Sequence, residues 1–372
     1  MEIAPALLER WMRQYYFDTE IDIGSSGVES FSMSDLRKLL DLSQKDLDQV
    51  IFDDSWTLGG PALRKAIGDR WANGDPNRVM ATHGSSEGIF LAMNALLRPG
   101  DEVITVSPCY QQLYAIAESN HCALKRWALD FERGFAPDVG QLKRLITRKT
   151  RMLVVNFPHN PTGASLTPEQ QKELIGAVEN NGSYLVWDGA FAEMTYDCPS
   201  LPDPGTWYDR TITLGTLSKG YGLPGLRVGW CLASPEILER FVNLRDYMTL
   251  HLSPLVELIA ERAIRKADVL LGIRMAQARA NLNMLSAWVD SHREFVDWAA
   301  PQGGVCAFLR MTGVDDVEAF CHRLAREYRA LLVPGTSFDR PGFVRLGFGG
   351  STTAFNEGLA RLSNLLVKCA LA

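Results

Sequence analysis

Residues 215–231 read Gly-Thr-Leu-Ser-Lys-Gly-Tyr-Gly-Leu-Pro-Gly-Leu-Arg-Val-Gly-Trp-Cys, and the fold turns on how this stretch is read. An apolar run, Thr-Ile-Thr-Leu at 211–214, leads into it and predicts a buried strand. Lys219 then stands among small residues just past the strand end. A lysine desolvated in such a place has a lowered pKa and offers a neutral amine as a nucleophile. Arg227, eight residues on, can present a fixed positive charge to a phosphate. The bland alternative is a solvated lysine in a glycine-rich loop, the commoner state of lysine. Gly220, Gly222 and Gly225 imitate a dinucleotide fingerprint, but they do not open a helix and Pro224 interrupts them, so that reading is rejected.

Outward from this loop, residues 102–106, 152–157 and 184–187 also read as buried strands, with helical patterns at 86–97 and 168–180 between them. Such alternation predicts a mainly parallel sheet covered by helices. From about residue 233 the pattern is mostly helical, and Ser234-Pro235 suits a helix start. Residues 303–310 and 343–348 read as strands of a smaller α+β unit. The expected organisation is an N-terminal arm and part of the small domain at 1–45, a large domain at 46–250 and a small C-terminal domain at 251–372. A Gly-Ser turn is expected at 24–27.

In open α/β sheets ligands bind beyond the carboxyl ends of the strands, and three polar groups fall there: Asn160, Asp188 and Lys219. Gly84-Ser85-Ser86-Glu87-Gly88 leads into an apolar helix. Free N–H groups and hydroxyls at such a start make an anion cup, while plain N-capping by Ser85 or Ser86 is the alternative. In Asn156-Phe-Pro-His-Asn160-Pro-Thr-Gly163, two proline-linked turns hold Asn160 after a strand, as a donor to a phenolate oxygen or in a simple Asx turn. Asp188 ends an apolar strand, where a carboxylate is costly unless paired.

Taken together, these motifs resemble the fold-type I pyridoxal 5′-phosphate (PLP) enzymes of the class I/II aminotransferase superfamily, over roughly residues 50–350. The resemblance implies an α/β fold with a large domain around a mainly parallel sheet and a smaller α+β domain. It implies that Lys219 carries PLP as a Schiff base, Asp188 pairs with the pyridinium nitrogen and Asn160 bonds the ring hydroxyl. Ser85, Ser86, Thr216 and Arg227 would hold the phosphate, Tyr110 would stack on the ring, and Arg345 would take the substrate carboxylate. It also implies a cytoplasmic homodimer with shared active sites.

A narrower similarity, to the capreomycidine synthase-like hydroxyarginine cyclases, lies in Asp22-Ile-Gly-Ser-Ser-Gly-Val28, Thr82-His-Gly-Ser-Ser-Glu87, Asn156-Phe-Pro-His-Asn160, 215–231 and Arg245-Asp-Tyr-Met-Thr-Leu250. It implies elimination of a hydroxyl from a hydroxylated arginine, then guanidine attack to close a ring. A 3-hydroxyl leads to a six-membered ring as in capreomycidine, and a 4-hydroxyl to a five-membered ring as in enduracididine. The alternatives are an ordinary aminotransferase and a PLP-dependent arginine oxidase. The substrate guanidinium needs an acidic partner. Among Glu9, Asp22, Asp53 and Asp54, the expectation falls on Glu9 and Asp53, with Ser25, Ser26 and Gly27 orienting the substrate backbone.

Two departures stand out. Phe191 replaces a tyrosine that many aminotransferases use to hydrogen-bond the ring oxygen, and phenylalanine cannot donate. The segment 53–59 also lacks the tyrosine that reaches a neighbouring subunit's phosphate.

The bulk composition narrows the classes further. A formal net charge of −6 without basic clusters gives no footprint for nucleic acid. Seven cysteines, none in a CxxC pair, suggest reduced thiols in the cytoplasm. The six histidines show no ligand-spaced pair, so no metal is expected. The amphipathic start lacks a signal-peptide core, and no run suits a membrane span.

Overall fold

A computed structural model describes residues 2–370 of the chain. Its strands are β1 (Ile21–Asp22), β2 (Val79–Thr82), β3 (Glu102–Ser107), β4 (Ala123–Ala128), β5 (Thr150–Asn156), β6 (Tyr184–Asp188), β7 (Thr211–Thr216), β8 (Gly229–Leu232), β9 (Val296–Trp298), β10 (Cys306–Met311), β11 (Ala330–Leu331), β12 (Val333–Pro334) and β13 (Phe343–Gly347). Seven of them form the main sheet in the order β2-β8-β7-β6-β5-β3-β4. The pairings among β7, β6, β5, β3 and β4 are parallel, as the alternating pattern predicts. Leu153, Val154, Val186 and Ile212 are completely buried in its core. Strands that lose both faces to helices have to be apolar throughout.

The sequence reading did not anticipate β2, β4 and β8. β4 is an edge strand with only Trp127 fully buried, so its Lys-Arg pair hides the pattern. β8 runs antiparallel to both neighbours. The chain returns from β7 into β8 through the Lys219 loop without a crossover helix, which is what an antiparallel return allows. That return folds Lys219 and Arg227 over the end of the sheet.

A second sheet, antiparallel and ordered β12-β13-β10-β9, lies in the C-terminal part, and β1 pairs in parallel with β11. The N-terminal helix Leu7–Tyr15 buries Leu8, Trp11 and Tyr15, one stripe at helical spacing, in the same core as Leu331, Phe338 and Leu346. Trp11 Nε1 donates to the Leu332 carbonyl at 2.9 Å. Among the described residues, no helix is long and apolar enough to cross a membrane.

The loop after β1 is wedged against the end of β13. Gly347 N donates to Ile23 O (2.9 Å) and Glu29 N to Gly349 O (3.0 Å). A Cβ on Gly347 would stand 1.8 Å from Ser25 O, and one on Gly349 would stand 2.3 Å from Gly27 O. Only glycine permits backbones to approach this closely. Gly347→Ala is therefore expected to destabilise the fold by about 1–3 kcal/mol, as overpacking does. The shift should appear as a lower urea midpoint, and an unchanged midpoint would show that the loop is not wedged there.

Candidate active site

The carboxyl ends of β5, β6 and β7, the N-terminal helix, the loop after β1 and the end of β13 enclose a cavity of about 750 Å³. Helix Gly84–Leu96 starts on its wall with His83 as N-cap and no side-chain cap. Ser85 and Ser86 lie in the first turn and line the cavity, so neither is the N-cap. Arg227 adopts the left-handed conformation (φ 53°) and turns back toward this helix end. A Cβ on Gly84 would lie 2.6 Å from Arg227 Nη2, so the glycine leaves room for the guanidinium. Nη1 donates to Ser218 Oγ (3.2 Å) and Pro224 O (3.1 Å), and no acid pairs with Arg227 among the described residues. Ser218 N in turn donates to Thr216 Oγ1 at 3.1 Å. An uncapped helix start, two hydroxyls and an unpaired cation make an anion cup.

Asp188 is the last residue of β6, directly across from Asn156 at the end of β5. Asn156 bridges the two strand ends, donating Nδ2 to Asp188 O (2.8 Å) and accepting from Asn160 N (2.8 Å). The local turn is thus held by Asn156, which leaves the Asn160 side chain to face the cavity. Asp188 is buried and accepts one bond, from Ala190 N (3.0 Å). Burial raises its pKa from 3.8 to about 6, against that hydrogen bond and the nearby Lys219 charge.

Lys219, three residues past β7, lines the cavity instead of facing solvent, and its Nζ donates to Ser26 Oγ at 2.8 Å. Burial lowers its pKa, and the positive charge of Arg345 lowers it further. The Phe191 ring stands 5.7 Å from Nζ. Arg345, on β13, is 2% exposed. Its Nε and Nη2 donate to Gly24 O (3.0 and 2.9 Å), and Nη1 to Asn160 Oδ1 (3.3 Å).

The N-terminal helix closes the remaining side with Leu8, Glu9, Met12 and Tyr16. Glu9 accepts from Tyr110 Oη at 2.9 Å. Burial and the Glu9 carboxylate push the Tyr110 pKa up, so the phenol stays a donor. Gln111, buried beside it, grips the start of the same helix. It accepts from Leu7 N (2.8 Å) and donates to Pro5 O (3.0 Å).

The cavity therefore gathers Lys219, Ser85, Ser86, Tyr110, Asn160, Asp188, Thr216, Arg227, Arg345, Glu9, Ser25, Ser26 and Gly27. Asp53 is not on the wall of this cavity within one chain. It is exposed in a segment anchored by Ser55 Oγ to Glu257 (2.9 Å) and by Asp54 to His251 (3.2 Å), next to the apolar side chains Ile51, Phe52 and Trp56 that are also exposed. Asp22 stands on the wall instead, where its Oδ1 accepts from Gly24 N (2.8 Å) and Ser25 N (2.9 Å). The Asp22-Ile-Gly-Ser spacing of an Asx-type turn was the available signal for it. Asn156 was also passed over, although it opens the motif that carries Asn160.

The sequence model "Aminotransferase class I and II" matches residues 56–362. The chain belongs to that family. It is 43% identical to capreomycidine synthase from Streptomyces vinaceus over 97% of this chain and 93% of the relative. The crystal structure of the PLP-dependent cyclase OrfR superposes with a TM-score of 0.94 at 43% identity, covering 99% of this chain and 98% of the other. A PLP-dependent aminotransferase from Streptococcus suis superposes with the same TM-score at 28% identity, covering 99% of each chain.

Asp188 gives a pH prediction for the cofactor-free chain. Its folded pKa lies above its unfolded one, so folding favours the protonated form and stability falls as pH rises from about 4 through 6. Asp188→Asn should remove that cost. A shift from 3.8 to about 6 corresponds to a gain on the order of 3 kcal/mol above pH 7 and none below pH 4. Urea unfolding of the two cofactor-free proteins across pH checks it, and a pH-independent difference would refute it.

Proposed function

We propose that this protein uses PLP to convert a hydroxylated L-arginine into a cyclic guanidine amino acid such as capreomycidine or enduracididine. The observation that carries this reading is one cavity in which a desolvated lysine, a half-satisfied buried aspartate and an anion cup share walls with the carboxylates Glu9 and Asp22. The relationship to capreomycidine synthase over nearly the whole chain supports it.

The residues fit the cofactor. The uncapped helix start with Ser85, Ser86 and Arg227, braced by Thr216, suits a phosphate. The second oxygen of Asp188 has no donor among the described residues, which suits a protonated ring nitrogen. Asn160 is left as the donor for the ring oxygen, since Phe191 has no hydroxyl. Tyr110 offers a ring face, and Lys219 is the amine for covalent attachment. Bound PLP supplies an electron sink for the α-carbon of the amino acid joined to it.

The chain supplies the remainder. Arg345 holds the substrate carboxylate, its guanidinium already oriented by Gly24 and Asn160. Lys219, kept toward its neutral form by burial and Arg345, takes the proton from Cα. Glu9 and Asp22 receive the substrate guanidinium, and Ser25 and Gly27 border the substrate backbone. The N-terminal helix shields the site from water. A 3-hydroxyl then leaves from Cβ and a guanidine nitrogen bonds there, whereas a 4-hydroxyl leaves from Cγ only after a second proton is removed, from Cβ, and the guanidine nitrogen bonds to Cγ.

The reading extends to a cytoplasmic homodimer. Ile51, Phe52 and Trp56, with Tyr247, Met248 and Leu250, are large apolar side chains left exposed in two segments joined by Asp54–His251 and Arg245–Thr57 contacts. A second copy would cover them. The cysteines are unpaired, which supports a reducing compartment.

Incubation with 3- and 4-hydroxy-L-arginine should give a cyclic product lighter than its substrate by one water, its ring size assigned by NMR. Release of a 2-oxo acid would instead mark an aminotransferase, and oxygen consumption an oxidase. Glu9→Gln and Asp22→Asn should each reduce the preference for hydroxyarginine over neutral hydroxycitrulline by about 1.5–3 kcal/mol, the value of a hydrogen bond to a charge. Unchanged preference in both variants would take these carboxylates out of the substrate site.

A further inference from the structure

We propose that Ser26 is the proton relay between Lys219 and the hydroxyl that leaves the substrate. The proposal rests on the cyclisation reading above and deepens it.

Loss of a hydroxyl sets a requirement that moving an amino group does not. The oxygen leaves as water, so it needs a proton as its C–O bond breaks. Lys219 acquires a proton when it deprotonates Cα. For a 3-hydroxyl the balance closes if that proton reaches the leaving oxygen; for a 4-hydroxyl the proton passed on is a second one, taken from Cβ, and the proton lost by the guanidine is restored there. Ser26 gives its own proton to the oxygen and takes one from Lys219, while the C–O electron pair departs with the water. The guanidine nitrogen then forms the new C–N bond and loses a proton, which for a 3-hydroxyl neutral Lys219 returns to Cα. One water is lost, and no oxidant or reductant is needed.

Ser26 is placed for this role. Its Oγ lies 2.8 Å from Lys219 Nζ. The residue is 7% exposed and lines the cavity. Its loop is held on both sides of the serine: Asp22 Oδ1 binds Gly24 N and Ser25 N, Arg345 grips Gly24 O, and Gly347 and Gly349 press against Ser25 and Gly27. A relay needs such fixed geometry, because proton transfer depends on hydrogen-bond contact. The Cys306 thiol also lies near Ser26, and burial raises its pKa.

The test uses wild-type holoenzyme, Ser26→Ala and Ser26→Thr with 3- and 4-hydroxy-L-arginine in D₂O. Mass spectrometry follows deuterium at Cα of recovered substrate and the cyclic product. In Ser26→Ala, Cα exchange should persist while product formation falls about 100-fold, the low end of a positioned acid's contribution. Ser26→Thr, which keeps a hydroxyl, should restore product. A second reading uses cofactor-free protein, in which the pH midpoint for labelling Lys219 with an amine-directed reagent should move down in Ser26→Ala, because an acceptor for the ammonium is gone. Undiminished product in Ser26→Ala overturns the relay. So does an equal loss of exchange and product without rescue by threonine, which would make Ser26 only a support for Lys219. Wild-type protein that cyclises neither substrate fails the cyclase reading itself, and the labelling midpoint still reports separately whether Ser26 touches Lys219.

Discussion

A fully buried guanidinium organises this protein. Arg345 sits on β13, yet it binds the carbonyl of Gly24 in the N-terminal loop and the side chain of Asn160 beyond β5. One cation thus joins three distant parts of the chain. No carboxylate pairs with it among the described residues, and a buried charge without a counterion is expensive. Two neutral acceptors orient the group but leave its charge uncompensated, which suits a site that receives a carboxylate from its substrate. The same charge adds to burial in keeping Lys219 toward its neutral form.

The anion cup depends on a buried ion pair. Glu87 lies in the first turn of helix Gly84–Leu96 and contacts Arg245, which is wholly buried. Glu87 also accepts from His83 N (2.6 Å) and Thr249 Oγ1 (2.6 Å). Against the cost of burial, the His83 imidazole, the Arg245 charge and these bonds hold its pKa at about 2. Arg245 Nη1 reaches the carbonyls of Thr57 (2.5 Å) and Ala81 (2.7 Å). The helix start is thereby locked to β2 and to the segment before Gly59. Breaking one member of such a pair strands the other, so the cup's position is tied to residues that never touch a ligand.

Much of this was legible in the sequence because it is local. The strands β3, β5, β6 and β7 show as apolar runs, and the helices between β3, β5 and β6 point to parallel order, while β6 and β7 are parallel without an α-helix between them. The lysine, the aspartate and the asparagine each lie just past such a strand, where this architecture puts its ligands. β4 and β8 were not legible. One is an edge strand carrying charge, and the other owes its direction to a loop return that no periodicity encodes.

By itself the sequence determined the family, the central strands of the sheet and the residues at their ends, since each follows from short-range pattern and chain order. Only the tertiary structure decided which acids and hydroxyls line the cavity. Asp53 and Asp22 look alike in sequence, but Asp53 is exposed while Asp22 lies on the cavity wall, bonded to the turn that follows it. Ser26 and Lys219 are 193 residues apart. Their contact exists because Gly347 and Gly349 let two backbones touch and Arg345 draws the Gly24 carbonyl inward. Close approach and burial are properties of the packed chain, and no local pattern records them.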